Sequence, residues 1–279
     1  MDKNMNKLVS VLLPTYNGAS RIQEAIQSVL DQSYANWELL VLDDGSLDNT
    51  KEIVDKLILG DRRIKYMKNE VNLGIQKTLN VGLHQGVGEY IARIDDDDVW
   101  IDRNKISKQV EFLEKNKDYV LVGTGFVAKD ENNKEIYKLF NAEKDEDIRI
   151  KILNKNCFLH SSVVFQRGVA LKFGGYSETE ATKHIEDYDL WLKMGTVGKF
   201  ANLPTYSVNF SLRTESISSK NKTIQFERCI HIIGKYKEYY PNYHWAFFNL
   251  STRMFIYKFF QIKPFNYFYK YFYKLYKNI

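Results

Sequence analysis

Over the first hundred residues, short apolar runs alternate with stretches whose apolar positions recur at helical spacing. Leu8-Val-Ser-Val-Leu-Leu13 reads as a buried strand stopped by Pro14, and a helix follows from about Ala19 to Gln32 with Ile22, Ile26, Val29 and Leu30 inward. Leu39-Leu-Val-Leu42 is a second strand. Asp48 can cap a helix carrying Ile53, Val54 and Leu57, and Ile64 to Met67 makes a short third strand. Ile75, Leu79 and Leu83 mark another helix, and Glu89-Tyr-Ile-Ala-Arg-Ile94 is a fourth strand. Such alternation predicts right-handed parallel βαβ units covered by helices on both faces. The second half is less regular. It offers strands at Tyr119 to Val127 and Ser161 to Phe165, a helix at Ile185 to Met194, edge strands within Gly198 to Phe210, and a helical, aromatic pattern from about Lys220 to the end.

In open α/β sheets ligands collect beyond the carboxyl ends of the strands, where the winding reverses. The polar clusters fall there: Pro14-Thr-Tyr-Asn17 follows the first strand, Asp43-Asp-Gly-Ser46 the second and Asp95-Asp-Asp-Asp98 the fourth. That coincidence points to a nucleotide site. Four adjacent carboxylates repel unless something neutralises them. Their hard oxygens suit Mg²⁺ or Mn²⁺, which use one or two carboxylates together with phosphate oxygens and water; a solvated acidic loop is the alternative. Gly45 permits a tight turn, and a carboxylate beside it can accept from the imide N–H of a uracil ring.

Composition narrows the class. A chain of 279 residues suits one large α/β domain with an appendage, and 44% hydrophobic with 27% charged residues is ordinary for a globular protein. The net charge of +5 is unevenly spread: from residue 220 onward 11 Lys and Arg face only Glu227 and Glu238, about +9, which leaves about −4 for residues 1–219. A nucleic-acid binder would carry its positive charge on a recognisable reading element, so nucleic acid is not an expected partner. Cys157 and Cys229 have no close spacing, which argues against a disulfide framework or zinc site and fits a reducing compartment. Met1 to Asn6 is polar and the run Leu8 to Leu13 is too short for a signal-peptide core. No apolar stretch reaches the roughly 18 residues a spanning helix needs, so membrane contact is expected to be peripheral.

Five segments occur in order: Ser10-Val-Leu-Leu-Pro-Thr-Tyr-Asn17, Asp43-Asp-Gly-Ser-Leu-Asp48, Asn72-Leu-Gly74, Gly88-Glu-Tyr-Ile-Ala-Arg-Ile-Asp-Asp-Asp-Asp98 and Glu186-Asp-Tyr-Asp-Leu-Trp191. Together they resemble the inverting family 2 glycosyltransferases, which have a GT-A fold. The resemblance implies a Rossmann-like, mostly parallel sheet flanked by helices in a catalytic domain over residues 1–219, with a nucleotide-sugar half at about 1–100 and an acceptor half at about 101–219, followed by a helical extension over 220–279. It implies an inverting hexosyltransferase that moves a sugar from a nucleotide-diphosphate donor, a UDP-sugar by analogy, to a hydroxyl of a glycan or lipid-linked acceptor in cell-surface polysaccharide biosynthesis.

Residue by residue, the resemblance has Pro14, Tyr16 and Asp44 lining the pocket for the donor base, with Asp44 accepting from uracil and Asn17 and Asp96 in the same nucleotide-sugar set. Asp95 and Asp97 would form the Asp-x-Asp motif that holds ribose and Mn²⁺ or Mg²⁺, Asp97 most directly. Arg93 would approach the diphosphate, or serve simply as an ion-pair partner. Asp187 would be the general base that takes the acceptor proton, with Glu186 orienting it or the acceptor, while the metal stabilises the leaving diphosphate. These acids would equally suit the first turn of a helix. A single displacement needs no nucleophilic side chain, in keeping with the absence of a Ser-His-Asp or Cys-His signature. Trp191, four residues after Asp187, is open to stacking on an acceptor sugar or to core packing. His160 resembles a residue beside the acceptor site, and in Phe210-Ser-Leu-Arg-Thr-Glu-Ser-Ile-Ser218 an arginine, Arg213, stands where many members have a histidine, so it would pair with the diphosphate from a lid.

Two other readings compete. A sugar-nucleotide nucleotidyltransferase would need a Gly-rich, Lys/Arg-bearing loop after the first strand, which Pro14-Thr-Tyr-Asn-Gly18 is not. A non-catalytic nucleotide-sugar-binding module would not need both Asp97 and Asp187. At the C-terminus, Phe265, Phe268, Phe272, Leu275 and Ile279 recur at helical spacing while Lys263, Lys270, Lys274 and Lys277 fall on another face. That pattern predicts docking of a cytoplasmic enzyme on the inner face of the cell membrane. Packing against the catalytic domain or a second subunit, as in a homodimer, is the alternative.

Overall fold

The computed structural model describes residues 6–212 and 222–261. Its chain order begins β1 (Val9–Thr15), α1 (Ile22–Leu30), β2 (Trp37–Asp43), α2 (Thr50–Ile58), β3 (Ile64–Lys68), α3 (Ile75–Gln85) and β4 (Tyr90–Arg93). There follow β5 (Val99–Trp100), α4 (Lys105–Lys115), β6 (Tyr119–Lys129), β7 (Glu135–Leu139), α5 (Asp145–Ile152), β8 (Val164–Gln166), α6 (Arg167–Lys172), α7 (Glu186–Met194) and β9 (Lys199–Ser211). Two helices, Lys222–Lys235 and Tyr243–Gln261, close the described chain.

Alternation along β1 explains why the sheet is covered twice. Val9, Val11 and Leu13 enter one apolar cluster, with α1, α2 and α4, while Leu12 enters another with α3, α5 and α7. Strand order is β3-β2-β1-β4-β8-β6-β9-β5, with β7 beside β6. The β3-β2-β1-β4 half is parallel, Val9 lying between Trp37 and Tyr90. Because the chain leaves β1 toward β2 and returns on its other side as β4, the winding reverses at β1/β4, and the ligand crevice opens there. The second half mixes directions: β8 is antiparallel to β4 and β6, and β9 is parallel to β6.

Three details differ from the pattern reading. Pro14 does not stop β1; it stays in register with Leu42. Pairing with β4 ends where Ile94 N–H donates to Leu12 O at 3.2 Å, so the donor Pro14 lacks costs no ladder bond there, and the Ile94 carbonyl accepts from the Arg93 guanidinium instead. Residues 199–211 are not edge strands but one strand between β6 and β5, with the register shift after Leu203 absorbing Pro204. Helix α4 was not anticipated, although Ile106, Val110 and Leu113 at helical spacing form its buried face. The C-terminal helices add Ile232, Ile233, Ala246 and Leu250 to the cluster that holds Trp191 and Leu192. Tyr236 and Tyr240 donate to Asp189 Oδ1 at 3.0 Å and Leu192 O at 2.8 Å.

Candidate active site

The turns after β1 and β2 are tied to each other. Asn17 adopts φ 51°, donates its N–H to Ser46 Oγ at 2.8 Å, and accepts at Oδ1 from Leu47 N–H at 2.9 Å. Gly18 is required by close approach: a Cβ there would lie 2.1 Å from Thr15 Oγ1 and 2.4 Å from Asp96 Oδ2. Those two atoms are themselves partners, Thr15 donating to Asp96 at 2.6 Å, with Arg21 3.2 Å away on the same carboxylate. Asp44, buried, accepts from Asn69 Nδ2 and from the N–H groups of Leu73 and Gly74 at 2.8–2.9 Å. Its carboxylate thereby fixes the Asn72-Leu-Gly74 loop and the start of α3 over the crevice.

The four aspartates after β4 are dispersed rather than clustered. Arg93, 1% exposed, donates to Asp95 Oδ1 at 2.5 Å, and Ser161 Oγ donates to Asp95 Oδ2 at 3.2 Å. Burial works against ionisation of Asp95, but its neighbours, Arg93 foremost and with the Ser161 hydroxyl, together outweigh it and hold the carboxyl below its usual value. Burial raises Asp96 despite its Thr15 and Arg21 bonds. Burial, then the charges of Asp95 and Asp97, push Asp98 well above its ordinary value, and its Oδ1 accepts from Ser211 N–H at 3.0 Å. The chain itself thus relieves much of the repulsion from which a cation was inferred.

Glu186 and Asp187 open α7, where the helix dipole favours anions. Burial wins nonetheless. It raises Glu186, with the Asp187 charge adding to it, to about 7, and it raises Asp187 to about 6 against a 2.8 Å bond from Asn156 Nδ2. Glu186 Oε2 and Arg93 Nε are buried without a hydrogen-bond partner among the described residues. His160 is held well below its ordinary value by burial and then by Arg93, so it is a neutral ring 3.0 Å from the Tyr176 hydroxyl.

One cavity of about 810 Å³ joins these groups. Pro14, Tyr16, Asp44, Arg93, Asp95, Asp96, His160, Glu186 and Asp187 all line it. That volume is in the range of a cofactor-sized ligand site. Asn17 does not line it and acts through the turn. Asp97 lines an adjoining hollow of about 670 Å³ that shares Arg21 and Phe210 with the first. Trp191 is the correction: at 0% exposure it offers no face to a sugar, and packs edge-on against His160 and Phe165. Arg213 and the aromatic, basic run from Lys263 lie outside the described residues.

Sequence reasoning missed the side chains that hold the acids in place. Arg21, Asn156 and Ser161 carry no motif signal of their own. Gln76 and Asn80 sit on α3 a few residues past Asn72-Leu-Gly74, and their polar faces at i and i+4 were the available clue. Among the described residues no three His, Cys, Asp or Glu side chains surround one metal position.

This geometry, a nucleotide-sized crevice at a sheet switch point with carboxylates on two opposing elements, is that of the GT-A fold of glycosyltransferases. The chain belongs to glycosyl transferase family 2, whose pattern matches residues 10–173. It is 36% identical over 237 residues, 83% of this chain and 87% of the other, to the UDP-Glc:alpha-D-GlcNAc-diphosphoundecaprenol beta-1,3-glucosyltransferase WfgD of Escherichia coli. Its fold is similar to S. aureus TarS 1–349 in complex with UDP-GlcNAc, with TM-score 0.69 and 20% identity over 87% of this chain and 72% of that one. It is also similar to the mannosyltransferase PcManGT of Pyrobaculum calidifontis in complex with GDP-Man and Mn²⁺, with TM-score 0.66 and 16% identity over 93% and 82%.

Proposed function

We propose that this glycosyltransferase moves a hexosyl group from a UDP-sugar to a hydroxyl of a glycan or lipid-linked acceptor in cell-surface polysaccharide biosynthesis, by single displacement with inversion. The observation that carries the reading is that Asp187 and Asp95 line one cavity with Pro14, Tyr16 and Asp44. The relatives support its finer parts, since WfgD uses UDP-Glc and TarS is seen with UDP-GlcNAc. In this reading Tyr16, 45% exposed at the cavity, and Pro14 flank the uracil. Asp44 keeps Oδ2 with a single donor, Gly74 N–H, and so retains acceptor capacity for the imide. Asp187 takes the acceptor hydroxyl proton as that oxygen attacks the anomeric carbon from the face opposite the departing UDP. Its raised affinity for a proton, about 6, suits a base working near neutrality.

Hard carboxylate oxygens on Asp95 and Asp97 fit Mn²⁺ or Mg²⁺, which need only one or two such ligands beside phosphate and water. The cation, when bound, supplies positive charge to the leaving diphosphate. Arg93 already holds Asp95 ionised and facing the crevice. We place the enzyme at the inner face of the cell membrane. Among the described residues no helix is long and apolar enough to cross a membrane. The helix Tyr243–Gln261 nevertheless exposes Trp245, Phe248 and Phe255 at 62–67%, and the chain then continues with four lysines and no acid.

The test is a thermal-shift series of nucleotide sugars with and without Mn²⁺, followed by product analysis. We expect stabilisation by uridine nucleotides that requires the metal, and transfer that Asp187→Ala reduces by about a hundredfold or more. Stabilisation by no nucleotide sugar, or full turnover by Asp187→Ala, would overturn the reading.

A further inference from the structure

Helix α4 opens on a lysine whose setting disfavours its charge. Lys105 stands at the start of the helix, where the macrodipole favours anions, and is 1% exposed. Its Nζ donates to the neutral Gln109 Oε1 at 2.8 Å and lies 4.2 Å from the centroid of the Trp100 ring. Burial brings the ammonium down to about 7 against the charge of Asp102. A buried ammonium held by an amide oxygen and a ring costs the fold more than an apolar chain of the same length. Its place there calls for a local reason.

Both contacts of Lys105 lead to one turn. Trp100 Nε1 donates to Ser161 O at 2.8 Å, and Gln109 Nε2 donates to Val122 O at 2.8 Å and to Ser162 O at 2.9 Å. The lysine leaves Gln109 one orientation, since a flipped amide would set its oxygen against two carbonyls and its N–H groups against the ammonium. Trp100, Gln109, Ser161 and Ser162 are at most 4% exposed, so water does not replace a bond that is lost. The turn they hold, His160–Ser162, puts His160 on the donor cavity and Ser161 Oγ on Asp95. That hydroxyl accepts from Asp95 N–H at 3.0 Å and donates to Asp95 Oδ2 at 3.2 Å. We propose that Lys105 is a positioning residue for the donor site: by orienting Gln109 and backing Trp100 it fixes the His160–Ser162 turn, and through Ser161 the carboxylate of Asp95. The inference rests on the donor reading of that cavity and adds to it a residue that does not line it.

The experiment is a calorimetric titration of UDP into the full-length enzyme saturated with Mn²⁺, which reads affinity and the fraction of competent sites separately. Changing a purely structural residue lowers that fraction and leaves the affinity of the folded molecules alone. Lys105→Met is expected to weaken UDP about tenfold at unchanged stoichiometry, the weight of one hydrogen bond to a charged group. Gln109→Met should weaken it at least as much, and the double variant by less than the product of the two single effects, because the residues act through a shared bond. Ile106→Val, a core change on the same helix, should bind UDP as wild type does. Wild-type affinity in Lys105→Met, fewer sites at wild-type affinity, an equal loss in Ile106→Val, or effects that multiply in the double variant would each overturn the inference. Should Lys105→Met yield no folded protein, the shorter, uncharged Lys105→Gln takes its place under the same expectation. Failure of wild type to bind UDP would instead count against the donor reading.

Discussion

At Asp187 burial and chemistry pull in opposite directions. Its carboxyl titrates near 6 in the folded protein, chiefly because of burial, and near 4 when the chain is unfolded. The folded state therefore holds the proton more tightly, and the stability attached to this group falls as pH rises from about 4 to about 6, then stays level. Asp187→Asn should consequently raise stability by about 2 kcal/mol at pH 8 and leave it nearly unchanged at pH 4, as read by denaturant unfolding at the two pH values. The same variant should lose about 10²–10⁴-fold in transfer rate. In wild type the rate should fall as pH drops through about 6, because the protonated form cannot accept the hydroxyl proton. A variant no more stable than wild type at pH 8 would show that the carboxylate is not held in an unfavourable setting.

At the scale of elements, α3 joins the two halves of the site. Its first turn faces the donor crevice through Gly74, Ile75 and Gln76. Its polar side chains Gln76 and Asn80 grip the segment that leads into α7. Asn80 accepts from Tyr176 N–H at 2.9 Å and donates to Tyr176 O and Glu178 Oε1 at 2.8 Å, while Gln76 Nε2 donates to Ser177 O at 2.5 Å and Thr182 Oγ1 at 3.0 Å. Asn80→Ala leaves a buried backbone N–H and C=O unpaired, which costs about 2–4 kcal/mol. Because Asn80 does not itself line the donor cavity while the segment it grips leads to Asp187, we expect the transfer rate to fall more than donor affinity, the two being separated by UDP titration and initial rates. Loss of both together would mean that α3 itself unravels. The apolar faces of these elements were legible beforehand, since Ile75, Leu79 and Leu83 repeat at helical spacing. The grip was not: a polar residue on a helix looks the same in sequence whether it meets water or a loop roughly a hundred residues away.

For the whole molecule, the boundary expected near residue 219 does not divide the core. Ile232, Ile233, Ala246 and Leu250, none more than 5% exposed, share a cluster with Trp191, Leu192 and Met194. A chain ending at Leu212 would strip that cluster of its cover and lose at least about 5 kcal/mol of apolar burial. It should therefore aggregate or show no cooperative melt. A chain ending at Lys263 keeps those helices, and should melt as the full chain does and bind UDP equally. If the lysine-bearing run contributes membrane contact, that shorter chain should also sediment less with anionic liposomes. Unchanged sedimentation would assign membrane contact to the exposed Trp245 and Phe248 face, or to nothing.

The sequence by itself determined the family, the parallel βαβ half of the sheet, the strand-end positions of Asp44 and Asp95 and the helix-start position of Asp187, because periodicity and punctuation are local properties of a chain. The tertiary structure alone decided how the charges are distributed. It raised the proton affinity of Asp98 by burial, paired Asp95 with Arg93 and Asp96 with Arg21, took Trp191 into the core, and put Asp187 where two cavities meet. Desolvation and ion pairing depend on what surrounds a group in space, and that neighbourhood is assembled from residues far apart along the chain.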